Sequence, residues 1–265
     1  MKRHLSVLML ASRTIWRVLA ILLLTAAVQT ALFAAVSTRV PLEVSVFPDG
    51  TEEVTAYGYI SLESCFNKAH TAIVGGVGFV LMCFILCVKT SAYGSRVRYT
   101  VARLRVGERG LNLWWAVYHA ACMMIFWLSQ IMVTYLLCRW YMSGAEASVI
   151  SGQTVAIAYY RNTYLHNLMP GGELVRWARN LVLAAAMGLS VSRFAMVQRR
   201  RGTVGFGAIV AAALVVVAFC TPLSDELMVP GVLLAALVIA VVSLSGLLTV
   251  YRADEIEPGE EAKAS

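Results

Sequence analysis

Along this chain the apolar residues fall in long unbroken blocks rather than in short periodic stripes. Val18 to Val36 carries no charge and is flanked by Arg13 and Arg17. Ala69 to Val88 runs between Lys68 and Lys89, and Leu113 to Cys138 is bounded by Trp114 and Trp115 on one side and Trp140 and Tyr141 on the other. Three further blocks follow at 180–197, 204–223 and 227–251, the first interrupted by Arg193 and the last accommodating Pro230 in its first turn. Each is close to the roughly 20 residues a helix needs to cross a bilayer. The pattern predicts an all-α polytopic membrane protein of six transmembrane helices, spans 18–36, 69–88, 113–138, 180–197, 204–223 and 227–251. These form a single membrane domain over residues 1–251. The first block reads as an uncleaved span rather than a signal peptide, because it exceeds the usual apolar core and "LFAAVS" lacks a small-x-small cleavage site. Arg193 is expected to snorkel to the nearby surface, and Leu5 to Ala11 to lie on the membrane surface as a helix.

Between the blocks the pattern changes. Residues 37–68 form one outer loop, in which "VPLEVSVF" and "EEVTAYGYI" alternate apolar and polar positions around Pro48-Asp49-Gly50-Thr51. That predicts a small β-hairpin after the first helix, followed by a helix capped by Ser61 and running through "LESCFNKAH" into the second span. The second outer loop, 142–179, gathers Tyr159, Tyr160, Tyr164, His166, Glu173, Arg176 and Trp177. Two readings stand for it: a substrate-facing lid, or an interfacial helix, a break at Pro170-Gly171-Gly172 and the approach to the fourth span. The loop 89–112 predicts a short helix over Tyr99 to Val106, and the acidic tail 252–265 is expected to be disordered.

Composition agrees with this picture. Apolar residues make up 59% of the 265 and charged residues 14%, against about half and about a quarter in a soluble domain. Placing the N-terminus inside puts sixteen Lys and Arg on the cytoplasmic side and six outside, which predicts that both termini are cytoplasmic. The net charge of +7 follows from that bias, so it is no signal for nucleic acid.

Candidate chemistry is sparse. No P-loop, H-E-x-x-H, G-x-S-x-G or paired C-x-x-C pattern occurs, so neither an enzyme nor a cofactor or metal site is expected. No Asp or Glu falls inside any of the six blocks, which disfavours an ion-coupled carrier. The third span holds a polar stripe: His119 and Gln130 lie eleven residues apart, nearly one face of a helix at about 100° per residue, with Met123 and Phe126 on it and Thr134 beside it. It reads as a pathway lining or as interhelical hydrogen bonds of about 1 kcal/mol each. Gly75, Gly76 and Gly78 are expected to permit close helix packing. Cys65 and Cys138 are expected to stay unpaired.

The stretch from Arg98, "RYTVARLRVGERGLNLWWAVYHAACMMIFWLSQIMV", resembles membrane subunits of ABC transporters of the type-2, exporter-like permease class. Tyr99-Thr100, Arg103-Leu104 and Val106-Gly107-Glu108-Arg109 occupy the places of that class's pattern between its second and third spans. The outer loop is also similar to bacterial membrane proteins of this general kind. The resemblance implies six spans, both termini inside, dimerisation, and a separate cytoplasmic ATPase docked through Tyr99, Arg103, Arg105, Glu108 and Arg109. The alternative is a non-transporting accessory or scaffold protein presenting its outer loops.

Overall fold

The structure is a computed structural model that describes Met9 and residues 12–38, 42–46, 52–56, 60–90, 108–144, 151–201, 206–221 and 228–256. A 3-10 turn at Ser12–Thr14 leads into α1 (Ile15–Ser37), and strands β1 (Leu42–Val46) and β2 (Glu52–Ala56) follow. The strands pair antiparallel, with Val44 opposite Val54. Then come α2 (Leu62–Lys68), α3 (Thr71–Thr90), α4 (Glu108–Gly144), α5 (Thr154–Arg161), α6 (Thr163–Leu168), α7 (Leu174–Arg201), α8 (Gly207–Cys220) and α9 (Met228–Ile256).

Five of these helices are long and apolar enough to cross a bilayer: α1, α3, α4, α7 and α9. Their outward faces carry large apolar side chains such as Leu23, Phe84, Val238 and Val241, a surface suited to lipid rather than water. The predicted fifth span coincides with α8, a shorter apolar helix. α8 has 14 residues, roughly 21 Å at the helical rise, short of the roughly 30 Å hydrocarbon core. Its end has a local cause. Thr221 precedes Pro222, whose ring disfavours helical backbone in the residue before it, and Thr221 is extended at φ −102°, ψ 145°.

α7, the helix of the block that Arg193 interrupts, is the most enclosed of the five, with 61% of its apolar stretch buried against 22% for α9. It runs between α4 and α9. Gly188 makes the α4 approach possible, since a Cβ there would sit 2.3 Å from the Ala120 backbone nitrogen. Arg193 is half-buried, and its Nη1 donates to the Val242 carbonyl of α9 at 2.9 Å. Gly246 leaves the space, because a Cβ there would meet Arg193 Nε at 2.7 Å.

One end of the bundle is capped by α2, α5 and α6. Ser61 caps α2, accepting from the Ser64 amide at 3.3 Å. The predicted continuous helix into the second span is instead broken at His70, whose φ of 49° is left-handed. Phe33, Leu62, Phe66, Trp127, Leu165 and Leu168 form a core between cap and bundle. Polar ties hold it: Trp127 Nε1 donates to the Leu168 carbonyl at 3.1 Å, and Asn162 Nδ2 to Asn67 Oδ1 at 2.8 Å. At residues 154–201 two short helices are followed by a break at Pro170-Gly171-Gly172 and then the long helix. The disordered-tail expectation is corrected in part, for α9 continues to Ile256. Residues 257–265, the turn 47–51, the surface helix at 5–11 and the loop helix at 99–106 lie outside the described residues, although Met9 itself is helical.

Candidate functional site

Beneath the cap, α1, α3, α4 and α6 bring four polar groups together in an apolar surround. Gln29 Nε2 on α1 donates to the Thr71 carbonyl at 3.1 Å and to Gln130 Oε1 on α4 at 2.8 Å. The Tyr164 hydroxyl on α6 donates to the same Gln130 oxygen at 3.3 Å. Gln29 is 2% exposed and Gln130 3%. Burial raises the Tyr164 pKa, so the phenol stays protonated and a donor. Gly75 permits the meeting: a Cβ on it would stand 2.7 Å from the Tyr164 hydroxyl and 3.3 Å from Gln130 Oε1. Gly78 likewise admits Thr25, whose Oγ1 would lie 2.5 Å from an added Cβ, whereas Gly76 meets only Cys220 Sγ, at an ordinary 3.5 Å.

The hydrogen-bond directions follow from the Thr71 carbonyl. It can only accept, so the group facing it on Gln29 is the amide nitrogen, and the group that nitrogen meets on Gln130 is the oxygen. Gln29 Oε1 and Gln130 Nε2 are then left buried with no hydrogen-bond partner among the described residues. Beside them is a cavity of about 30 Å³ walled by Phe79, Phe126, Trp127 and Phe219, with Gln130 and Tyr164 its polar members. That is enough room for one or two waters. No lining residue is charged.

The predicted polar stripe of the third span divides in two. Gln130 belongs to this cluster, but His119, about 16 Å away along the helix, turns to α7, where its Nδ1 lies 3.0 Å from Ser192 Oγ. Met123 and Phe126 are buried in the core between them. Thr134 is half-buried and stands in neither group. Of the docking residues, Glu108 and Arg109 open α4, while Tyr99, Arg103 and Arg105 lie outside the described residues.

A second cluster, at the capped end of α7, was not anticipated. Arg179 is wholly buried. Its Nη2 donates to the Asn167 carbonyl at 3.1 Å and to Asn180 Oδ1 at 2.9 Å, and its guanidinium lies 6.0 Å from the Phe219 ring centre. Among the described residues no carboxylate forms an ion pair with it. Glu173 instead pairs with Arg176 and approaches His166 Nε2 at 3.5 Å. Burial first, and then Arg176, hold the His166 pKa below its ordinary value, against Glu173. The guanidinium thus replaces water with neutral carbonyl oxygens, tying the last turn of α6 to the first turns of α7.

Cys65 and Cys138 are both free thiols in the cap core. Burial pushes the Cys65 thiol up to about 11, with Lys68 pulling the other way. Among the described residues no three His, Cys, Asp or Glu side chains are grouped to hold a metal. No protein-family model matches this chain, and no curated protein or solved structure is similar to it.

Proposed function

We propose that this chain is the membrane-embedded, permease-like subunit of an ATP-driven transporter, crossing the bilayer six times with both termini in the cytoplasm. The cap then lies outside, and the basic loop 89–112 lies inside, where Tyr99, Arg103, Arg105, Glu108 and Arg109 dock a separate ATPase. α8 completes the sixth crossing with its flanking residues and local bilayer thinning. The observation that carries the reading is the Gln29–Gln130–Tyr164 cluster. Buried polar atoms without partners are costly inside a bilayer, and a cavity beside them gives a solute somewhere to sit. The five long helices contain no Asp or Glu in their apolar stretches, which favours an energy source outside the chain.

Purification from native membranes in mild detergent tests it. A nucleotide-binding subunit should co-purify, and Arg103→Glu with Arg105→Glu should abolish its recovery while leaving membrane insertion intact. Recovery of the intact chain without any ATPase would reject the reading. The tightly packed cap favours a second one, an accessory protein presenting its outer face. Under that reading, crosslinking from Tyr160, 74% exposed on α5, captures an extracytoplasmic partner and no ATPase is found.

A further inference from the structure

Arg179 and Arg193 stand on the same helix but are met very differently. Arg179 is wholly buried and gives its guanidinium to Asn167 and Asn180. Arg193 lies about 21 Å further from the cap and is half-buried. Among the described residues its only acceptor is the Val242 carbonyl, which occupies one of the five N–H groups of a guanidinium, and no carboxylate pairs with it. α7 and α9 run side by side in the same direction, with Ser190 meeting Ser243 and Met196 packing with Leu247, so Arg193 lies in the groove between them. Gly246 floors that groove: a Cβ there would stand 2.7 Å from Arg193 Nε and 2.9 Å from its Cζ, so the guanidinium rests against bare α9 backbone. The neighbouring hydroxyls of α9 serve their own helix, Ser245 donating to the Val242 carbonyl at 3.0 Å and Thr249 to the Ser245 carbonyl at 2.8 Å. A permanent cation with unmet N–H groups is costly where its surroundings are hydrocarbon, and the chain supplies no anion to answer it.

We propose that the α7–α9 groove at Arg193 binds an anionic phospholipid of the leaflet remote from the cap, whose phosphodiester oxygens accept a forked pair of N–H bonds from the guanidinium. The lipid's acyl chains then run toward the bilayer centre along Val241, Val238 and Leu234, all exposed on α9. The apolar stretches of α7 and α9 end at Gln198 and Thr249. Arg193 is thus roughly 8 Å short of that boundary, a depth that snorkelling and local thinning of the bilayer bring within reach of a phosphate. Arg199, Arg200 and Arg201 follow directly in the sequence, a positive run that concentrates anionic lipid in the same leaflet. A phosphatidylcholine phosphate is already matched by its own ammonium, whereas an anionic headgroup leaves the pair with Arg193 neutral.

The test uses the purified full chain in phosphatidylcholine vesicles carrying a trace of phosphatidylglycerol with a diazirine close to its ester, the label being mapped by mass spectrometry. Residues 238–245 of α9 should take at least threefold more label than Val80 to Phe84 of α3, which are exposed as far from the end of their own apolar stretch. Excess unlabelled phosphatidylglycerol should remove the difference, and the same tag on phosphatidylcholine should not produce it. Arg193→Gln should bring the two helices level, while Arg193→Lys, which keeps the charge without the fork, should retain part of the excess. Even labelling of the wild type, or an equal excess with tagged phosphatidylcholine, overturns the proposal, and neither arm depends on a variant. An excess undiminished in Arg193→Gln would move the site to the neighbouring basic run and overturn the assignment to Arg193. Loss of the excess on adding glycerol 3-phosphate would show a water-facing anion site and overturn the lipid. Neither an ATPase nor transport enters the measurement, so the outcome stands apart from the docking experiment.

Discussion

Gly188→Ala is the sharpest test of how the bundle is assembled. The added methyl would lie 2.3 Å from the Ala120 nitrogen, 2.5 Å from its Cα and 2.7 Å from its Cβ, where ordinary contact begins at 3.4 Å. Two of those atoms are backbone, so no rotamer relieves the clash and α4 must move from α7 by about 1 Å to restore contact distance. Ser192 is one turn further along α7 and His119 adjoins Ala120, so the same movement stretches their 3.0 Å hydrogen bond beyond useful reach. Overpacking of this kind costs about 1–3 kcal/mol, and the lost bond adds about 1 kcal/mol. The gain in helix propensity returns at most about 1 kcal/mol. The net expectation is a loss of about 1–3 kcal/mol in an SDS unfolding titration of the detergent-solubilised protein followed by circular dichroism. Gly231→Ala is the control: nothing lies within 4 Å of its Cβ position, so it should be neutral or slightly stabilising. If the two variants unfold at the same midpoint, the close approach of α4 and α7 is not what holds the centre together.

Arg179→Lys should cost about 2 kcal/mol in the same titration, because an ammonium cannot span Asn167 and Asn180 together and charged hydrogen bonds are worth about 1.5–3 kcal/mol each. His166 binds its proton less readily folded than unfolded, where its pKa is 6.5; its share of stability is full above that value and falls as pH drops through it. The unfolding midpoint should therefore decrease from pH 8 to pH 5, less steeply in His166→Gln, and an equal slope in both would reject the assignment. Cys65 should resist alkylation at pH 8 until SDS is added. The denatured, unreduced chain should then gain six alkyl groups, one for each of its free cysteines; a mass two groups lighter would reveal a disulfide.

The long helices were legible because bilayer thickness fixes a block length that apolar runs either meet or miss. Ser61 as a cap, and Gly75 and Gly78 as points of close approach, were legible too, since each acts through its immediate neighbourhood. α8 was legible in part: its 14 residues fall within the block assigned to it, and Thr221 and Pro222 mark where that block runs past the helix. Gln29 was passed over because one amide hardly alters the hydropathy of a 23-residue helix. Its role depends on Gln130 and Tyr164, which are far away in sequence. Arg179 was counted only as one of the six cations on the outer side. Its acceptor Asn167 is twelve residues back, across the Pro170-Gly171-Gly172 break, and only folding joins them. His119 and Gln130 share a helical face, as the spacing requires, but that face meets different neighbours at different heights.

The enclosure of α7 has a consequence for biogenesis. Arginine at the centre of an isolated helix opposes insertion by about 2.5–3.5 kcal/mol, less toward its ends, and α7 carries Arg176, Arg179 and Arg193. Two of them are quenched by other segments: Arg179 by Asn167 before it and Arg193 by Val242 after it. A nascent chain that has emerged only as far as residue 201 therefore holds a helix in which Arg193 still awaits its acceptor. Lodging of α7 in the membrane is completed by the arrival of α9, so the last helix acts as a clasp on a segment translated well before it.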